Sequence, residues 1–139
     1  MKRILAAVLT VMLASAALLA GPAIAGDAAL FTNMTTADPH RAKMAIHFTK
    51  KQQELKHPVT VFLNDKGVLV GSKSKAAEFG ELQAALAAII KGGGNVVVCP
   101  MCMEHYGVKK EDLIEGAQVG KPELTGGLLF KDGTQTLTW

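Results

Sequence analysis

Both cysteines of the chain, Cys99 and Cys102, fall in one short stretch, Asn95-Val96-Val97-Val98-Cys99-Pro100-Met101-Cys102-Met103-Glu104-His105-Tyr106-Gly107. Two thiols three residues apart, with a thioether on each side of the second, can do two kinds of chemistry. A cysteine thiolate is a nucleophile and a carrier of sulfur. Thiolates and thioethers together are also soft ligands of the kind that select Cu(I). A disulfide between Cys99 and Cys102 would close a very small loop and constrain little of the unfolded chain. The pair therefore reads as a redox or ligand pair and not as a staple.

The local elements must position these sulfurs. Three consecutive valines before Cys99 read as a short buried strand. The polar run Glu104, His105, Gly107, Lys109 and Lys110 after Cys102 reads as a helix or tight turn. Sulfur placed where a strand ends and a helix begins sees backbone amides that favour negative charge, so a thiolate is expected to form more easily there. In the sulfur-chemistry reading Cys99 is the nucleophile or carrier and Cys102 resolves it as a disulfide. His105 is a candidate third participant, as proton acceptor or cation, weighed against an ordinary surface histidine. In the metal reading Cys99, Met101, Cys102 and Met103 are the ligands, with His105 or Met34 completing the set. The same methionines read equally well as core filler. Structural zinc needs four ligands and only two cysteines exist. A third reading, a thioredoxin-like oxidoreductase, fits a strand followed by C-x-x-C in outline. Here Pro100 follows the first cysteine directly, whereas that active site has its proline just before the second.

The wider chain supplies a framework for the motif. Leu30–Met34 reads as a first strand. Asp38-Pro39 reads as an N-cap with proline at the first helical position, opening a helix to about Lys56 with Ala45, Phe48 and Leu55 on one face. Val59–Leu63 is a second strand, Asn64–Gly67 a turn, and Val68–Val70 the other half of a hairpin or an extended lead-out. Ser72–Gly80 reads as a loop. Leu82, Leu86, Ile89 and Ile90 mark a helix by their spacing, stopped by Gly92-Gly93-Gly94 with Gly92 as C-cap candidate. Lys109–Glu115 reads as a short helix, Gly116–Gly120 as a loop, Pro122–Leu129 as a final helix and Thr134–Trp139 as a last strand. Strands alternating with helices imply an α/β domain with a mostly parallel sheet flanked by helices. In such sheets sites lie beyond the carboxyl ends of the strands, where Cys99 falls.

The N-terminal residues read differently. Lys2 and Arg3, an apolar run from Ile4 to Ala20, Gly21-Pro22 and Ala23-Ile24-Ala25 have the form of a cleaved secretory signal. Residues 1–25 are expected to be this signal and 26–139 the single domain, periplasmic or secreted, with no membrane anchor after cleavage. The 139-residue chain carries a formal charge of +3. Without Lys2 and Arg3 it has 13 basic against 12 acidic residues, a balance that gives no reason to expect nucleic acid as a partner. Gly92-Gly93-Gly94 is not a phosphate loop, since it ends a helix and no Lys-Ser/Thr follows. Ser72 and Ser74 have no His/Asp pattern beside them that would mark a hydrolase.

The order Gly-terminated helix, Val-rich strand, cysteine, then His105-Tyr106-Gly107-Val108, Asp112-Leu113-Ile114-Glu115-Gly116 and Val119-Gly120 resembles the DsrE/DsrF-like family. The resemblance covers most of residues 26–139 and is densest from Leu82 to Gly120. It implies an α/β sandwich that forms trimers or hexamers. It further implies a role in sulfur relay, with a persulfide carried on Cys99 and a sulfur donor or acceptor, protein or small molecule, as partner. A sulfur carrier and a sulfurtransferase both fit. No cofactor is required by this reading; Cu(I) belongs to the alternative. The chain departs from the family pattern in its export signal and in the second cysteine with Met101 and Met103.

Overall fold

The computed structural model describes residues 28–139; the expected signal segment lies outside them. Five strands form one sheet: β1 Leu30–Met34, β2 Val59–Leu63, β3 Asn95–Val98, β4 Gln118–Val119 and β5 Gln135–Thr138. Their order across the sheet is β4-β3-β2-β1-β5, and every pairing is parallel. The α/β architecture with a parallel sheet is thus as expected from the alternation of elements.

Helices α1 (Pro39–Glu54) and α2 (Ala76–Lys91) pack side by side on one face of the sheet. Alternate residues of the strands meet them. Leu30, Met34, Val59, Val61, Leu63, Val96 and Val98 are buried with Ala42, Ile46, Phe79, Leu86 and Ile89 in one core. Asp38 caps α1 as expected, its carboxylate accepting from the Arg41 amide at 2.8 Å, and Pro39 opens the helix. A buried hydroxyl pair, Thr32 Oγ1 to Thr49 Oγ1 at 2.7 Å, satisfies both polar atoms between β1 and α1.

Several local expectations are corrected. The buried stripe of α1 is Ala42, Ala45, Ile46 and Thr49. Phe48 and Leu55 were expected on that stripe with Ala45, yet both stand exposed. Small residues let α1 lie close against the sheet and α2, which leaves its large apolar residues outside. Val68–Val70 is neither hairpin nor extended chain: residues Asp65–Leu69 form a 3-10 turn with Val68 and Val70 buried. Gly67 passes so close to the Met34 carbonyl that an added Cβ would overlap its oxygen. α2 begins at Ala76, after a 3-10 turn at Lys73–Lys75, inside the stretch expected to be loop. Lys109–Glu115 holds only a 3-10 turn at Lys110–Asp112, and the expected loop Gly116–Gly120 contains β4. Gly92 is the C-cap of α2, and the positive φ falls on Gly93.

The other face of the sheet carries Phe31, Phe62 and Val97. Helix α4 (Pro122–Leu129) lies over it, has Gly126 and Gly127 in its middle, and has no fully buried residue. A short helix, α3 (Pro100–Tyr106), follows β3 and packs on the Asp65–Leu69 turn. No helix among the described residues is long and apolar enough to cross a membrane.

Candidate functional site

Cys99 is the N-cap residue of α3, directly beyond the carboxyl end of β3. Its backbone N–H donates to the Leu63 carbonyl at 2.9 Å, which extends the β2–β3 ladder by one residue. Pro100, with no N–H to lose and a fixed φ, opens α3. The Cys99 side chain makes no capping bond, so its sulfur is left available. One helical turn on, Cys102 brings its Sγ to 3.0 Å from Cys99 Sγ. Both cysteines are free thiols and half-buried. The two sulfurs expected to work together are therefore in contact.

Cys102 is held from the far side by the turn that follows β2. The Asp65 backbone N–H donates to Cys102 Sγ at 3.2 Å. The Asn64 carboxamide oxygen lies 3.1 Å from the same sulfur, placed to accept its S–H. Asn64 Oδ1 also accepts from the Asp65 N–H at 2.8 Å, so one carboxamide oxygen organises both. Asp65 sits at φ +45°, a left-handed conformation that few side chains other than Asn and Asp tolerate. Its carboxylate accepts from the Tyr106 hydroxyl at 2.5 Å, tying the turn to the last residue of α3. Backbone strain at a site is sustained only where surrounding contacts fix it, and here Tyr106 and the buried Gly67–Val68 segment do so.

Burial pushes the Cys102 thiol above its ordinary value; the neighbouring Cys99 adds to the rise and the Asp65 N–H opposes it. For Cys102, removal from water thus works against the thiolate that a helix start would favour. The Tyr106 hydroxyl is likewise raised, because its hydrogen bond to the Asp65 carboxylate is lost on ionisation. It remains a donor.

The other residues singled out by sequence are dispersed. His105 is exposed, its ring edge-on to Tyr106 with centroids 4.6 Å apart. The hydrogen-bond partners of Cys102 are Asn64, Asp65 and Cys99, not His105. Met101 is 79% exposed and Met103 is packed in the core, so the two thioethers leave α3 on different sides. Met34, the last residue of β1, is fully buried. Of the proposed copper ligands, only the two thiols are brought together by the hydrogen bonding described here. Among the described residues no group of three or more His, Cys, Asp or Glu side chains is placed to hold a metal ion. Sequence reasoning missed Asn64 and Asp65 as partners of Cys102, and Tyr106 as the residue that holds Asp65. Asn64-Asp65 registered only as a turn signal.

A parallel sheet with a dithiol at the carboxyl end of an inner strand defines a thiol-bearing α/β protein. The chain belongs to the DsrE/DsrF-like family, whose sequence model matches residues 27–132. It is 34% identical over 93 residues to the uncharacterized protein MJ0989 of Methanocaldococcus jannaschii, covering 64% of this chain and 82% of that one. Its fold is similar to that of protein MTH1491 of Methanobacterium thermoautotrophicum, with a TM-score of 0.67 at 15% identity, over 81% of this chain and 99% of that one. The ychN protein of E. coli matches with a TM-score of 0.64 at 21% identity, over 81% and 99%. The family points to a sulfur-relay-like role.

Proposed function

We propose that this protein carries sulfane sulfur as a persulfide on Cys99, with Cys102 as the resolving thiol. The observation that supports the reading is the 3.0 Å contact between the two sulfurs, one on the strand end and one pinned by the Asn64-Asp65 turn. In loading, the Cys99 thiolate attacks the outer sulfur of a donor R–S–SH. The Cys99–sulfur bond forms, the donor S–S bond breaks, and R–S⁻ leaves. An acceptor thiolate can then take the outer sulfur and return Cys99 to its thiolate.

In the absence of an acceptor, Cys102 attacks Cys99 Sγ. The disulfide forms and HS⁻ is expelled, so two thiols are oxidised while the sulfane sulfur is reduced to sulfide. Cys102 must shed its proton for this step. Its raised affinity for that proton slows the discharge, and the Asp65 N–H is positioned to accept the charge when it forms. Closing 3.0 Å to the ~2.05 Å of a disulfide needs a shift of about 1 Å, within reach of one rotamer adjustment.

Export and self-association belong to the same proposal: the protein acts in the periplasm or outside the cell, as an oligomer, on a small sulfur species or a partner thiol. The decisive experiment is intact-mass analysis of the protein isolated from its host and after incubation with a persulfide donor, repeated with Cys99→Ser and Cys102→Ser. The proposal expects one added sulfur atom on the wild type, lost with reductant and absent from Cys99→Ser. Cys102→Ser should hold the added sulfur longer than the wild type, because it lacks the internal discharge. Loading that survives Cys99→Ser overturns the assignment. Bound copper in place of sulfur would replace this reading with the soft-metal one. The N-terminus of the isolated protein, Gly26 if the signal is cleaved, tests export in the same spectrum.

A further inference from the structure

Beside the thiols, on the sheet face opposite α1 and α2, lies a groove of about 170 Å³ between α4 and strands β1, β2 and β5. Its floor is the tilted ring pair Phe31 and Phe62, with centroids 5.9 Å apart. Leu129 and Thr125 of α4 form one wall and Thr136 of β5 another. The end nearest the dithiol is made by two carboxamides, Asn33 and Asn64. Asn64 is the residue whose Oδ1 lies 3.1 Å from Cys102 Sγ. One side chain thus belongs both to the groove and to the hydrogen bonding of the resolving thiol.

We infer that this groove is a binding subsite for a small, uncharged organic sulfur compound, with its apolar body on Phe31 and Phe62 and its sulfur end at the Asn33–Asn64 pair. The inference rests on the persulfide reading for its ligand class and on four further observations for its location. No charged side chain lines the groove, so an anionic sulfur donor would lose its hydration with no counter-charge to replace it. The volume is the share of about six waters at ~30 Å³ each, which suits a ligand of a few heavy atoms. Asparagine is depleted in strands, yet Asn33 occupies one on this face. It accepts from Asn64 Nδ2 at 3.4 Å, and among the described residues its own amide nitrogen has no hydrogen-bond acceptor. That nitrogen is open to solvent, where a ligand can take its hydrogen bond. Finally, Asn33 and Asn64 of the groove stand at the carboxyl ends of the neighbouring strands β1 and β2. This is the type of position where parallel α/β sheets open a crevice at their carboxyl ends.

The test uses dimethyl trisulfide as probe and thiosulfate as the charged comparison, with the chain carrying Cys99→Ser and Cys102→Ser so that no sulfur can be transferred. Amide chemical shifts are followed by NMR during titration. The expected result is a millimolar dissociation constant, as befits a ligand of so few atoms, with shifts centred on Phe31, Asn33, Phe62 and Leu129 and none with thiosulfate. Leu129→Trp, which fills the groove, should weaken binding at least tenfold. Thr136→Phe, at an exposed strand position that tolerates aromatics, should do the same if the first variant fails to fold. Absence of groove-centred shifts, or binding unaffected by both fillings, overturns the subsite. Because the serine variant cannot carry sulfur, that outcome would leave the persulfide proposal standing. Conversely, failure of Cys99 to load in the wild type would not touch a positive titration.

Discussion

The behaviour of this site turns on three influences on one sulfur atom. Cys102 is desolvated, touches Cys99, and receives the Asp65 N–H. The first two dominate, so its alkylation by a neutral reagent, followed by site-resolved mass spectrometry, should rise with pH through a midpoint above the ordinary thiol value of 9.0. A midpoint at or below that value would mean that the Asp65 amide outweighs burial. The Tyr106 hydroxyl matters because it fixes the carboxylate of the residue that supplies this amide. Tyr106→Phe should slow closure of the Cys99–Cys102 disulfide severalfold while leaving Cys99 loading within twofold. His105→Ala should change neither, since the His105 ring faces Tyr106 from the exposed side of α3. A large effect of His105→Ala on loading would restore the role that its nearness in sequence first suggested. The motif itself was legible from residues 95–107. Asn64 and Asp65 were not, because they meet Cys102 across 38 and 37 positions of chain and carry only the ordinary signature of a turn.

At the scale of elements, the 3-10 turn Asp65–Leu69 and the helix α3 act as the two jaws that hold the thiols. Gly67 is where the first jaw is anchored: the space a Cβ would need is taken by the Met34 carbonyl oxygen. That carbonyl already accepts the Asn64 N–H at 2.9 Å. Backbone against backbone has little room to relax, so Gly67→Ala should cost about 2–3 kcal/mol in urea denaturation and should also loosen the Asp65–Cys102 contact. A variant as stable as the wild type would show that the turn can shift. A second anchor lies at the entry to α2. There Asp112 accepts from the hydroxyls of Ser72 and Ser74 and from the Ser74 amide. These bonds hold the Asp112 carboxyl below its ordinary value, so its contribution is full above about pH 4 and is lost as acid protonates it. Asp112→Asn should cost about 1 kcal/mol at neutral pH, and the gap from wild type should close as pH falls below that range. A gap that widens in acid would contradict the assignment. Long apolar runs, the Asp38-Pro39 cap and the Gly92–Gly94 stop were enough to place β1, β2, β3, α1 and α2. The strand at Gln118–Val119 has two residues and no alternation to read. Val68–Val70 reads as extended by composition and is folded into a turn by the tertiary fit of Gly67.

For the whole molecule, the exposed side of α1 is a part of the surface where several large apolar residues stand together. Met44, Phe48 and Leu55 stand on it, with Leu137 of β5 beside them, and the Phe48 ring packs at 5.9 Å from that of Trp139. The expected stripe failed here for a reason that bears on assembly: the sheet side is filled by Ala42, Ala45, Ile46 and Thr49, so the larger residues face outward. Apolar side chains grouped in this way on a surface commonly mark a contact with another molecule. A second copy of this chain is the occupant proposed here, and with nearly balanced charge outside the first 25 residues the copies would not repel each other strongly. Phe48→Glu introduces a charge at the centre of that surface without entering the core, so it should leave urea stability within about 0.5 kcal/mol. In sedimentation velocity the wild type should move as an oligomer and Phe48→Glu as a monomer or as a concentration-dependent mixture. The same variant should still load sulfur on Cys99, because the dithiol and its Asn64-Asp65 turn are built wholly within one chain. An unchanged oligomer would remove α1 from the interface, and a monomeric wild type would remove self-association. Loss of loading on dissociation would mean that a second copy completes the site.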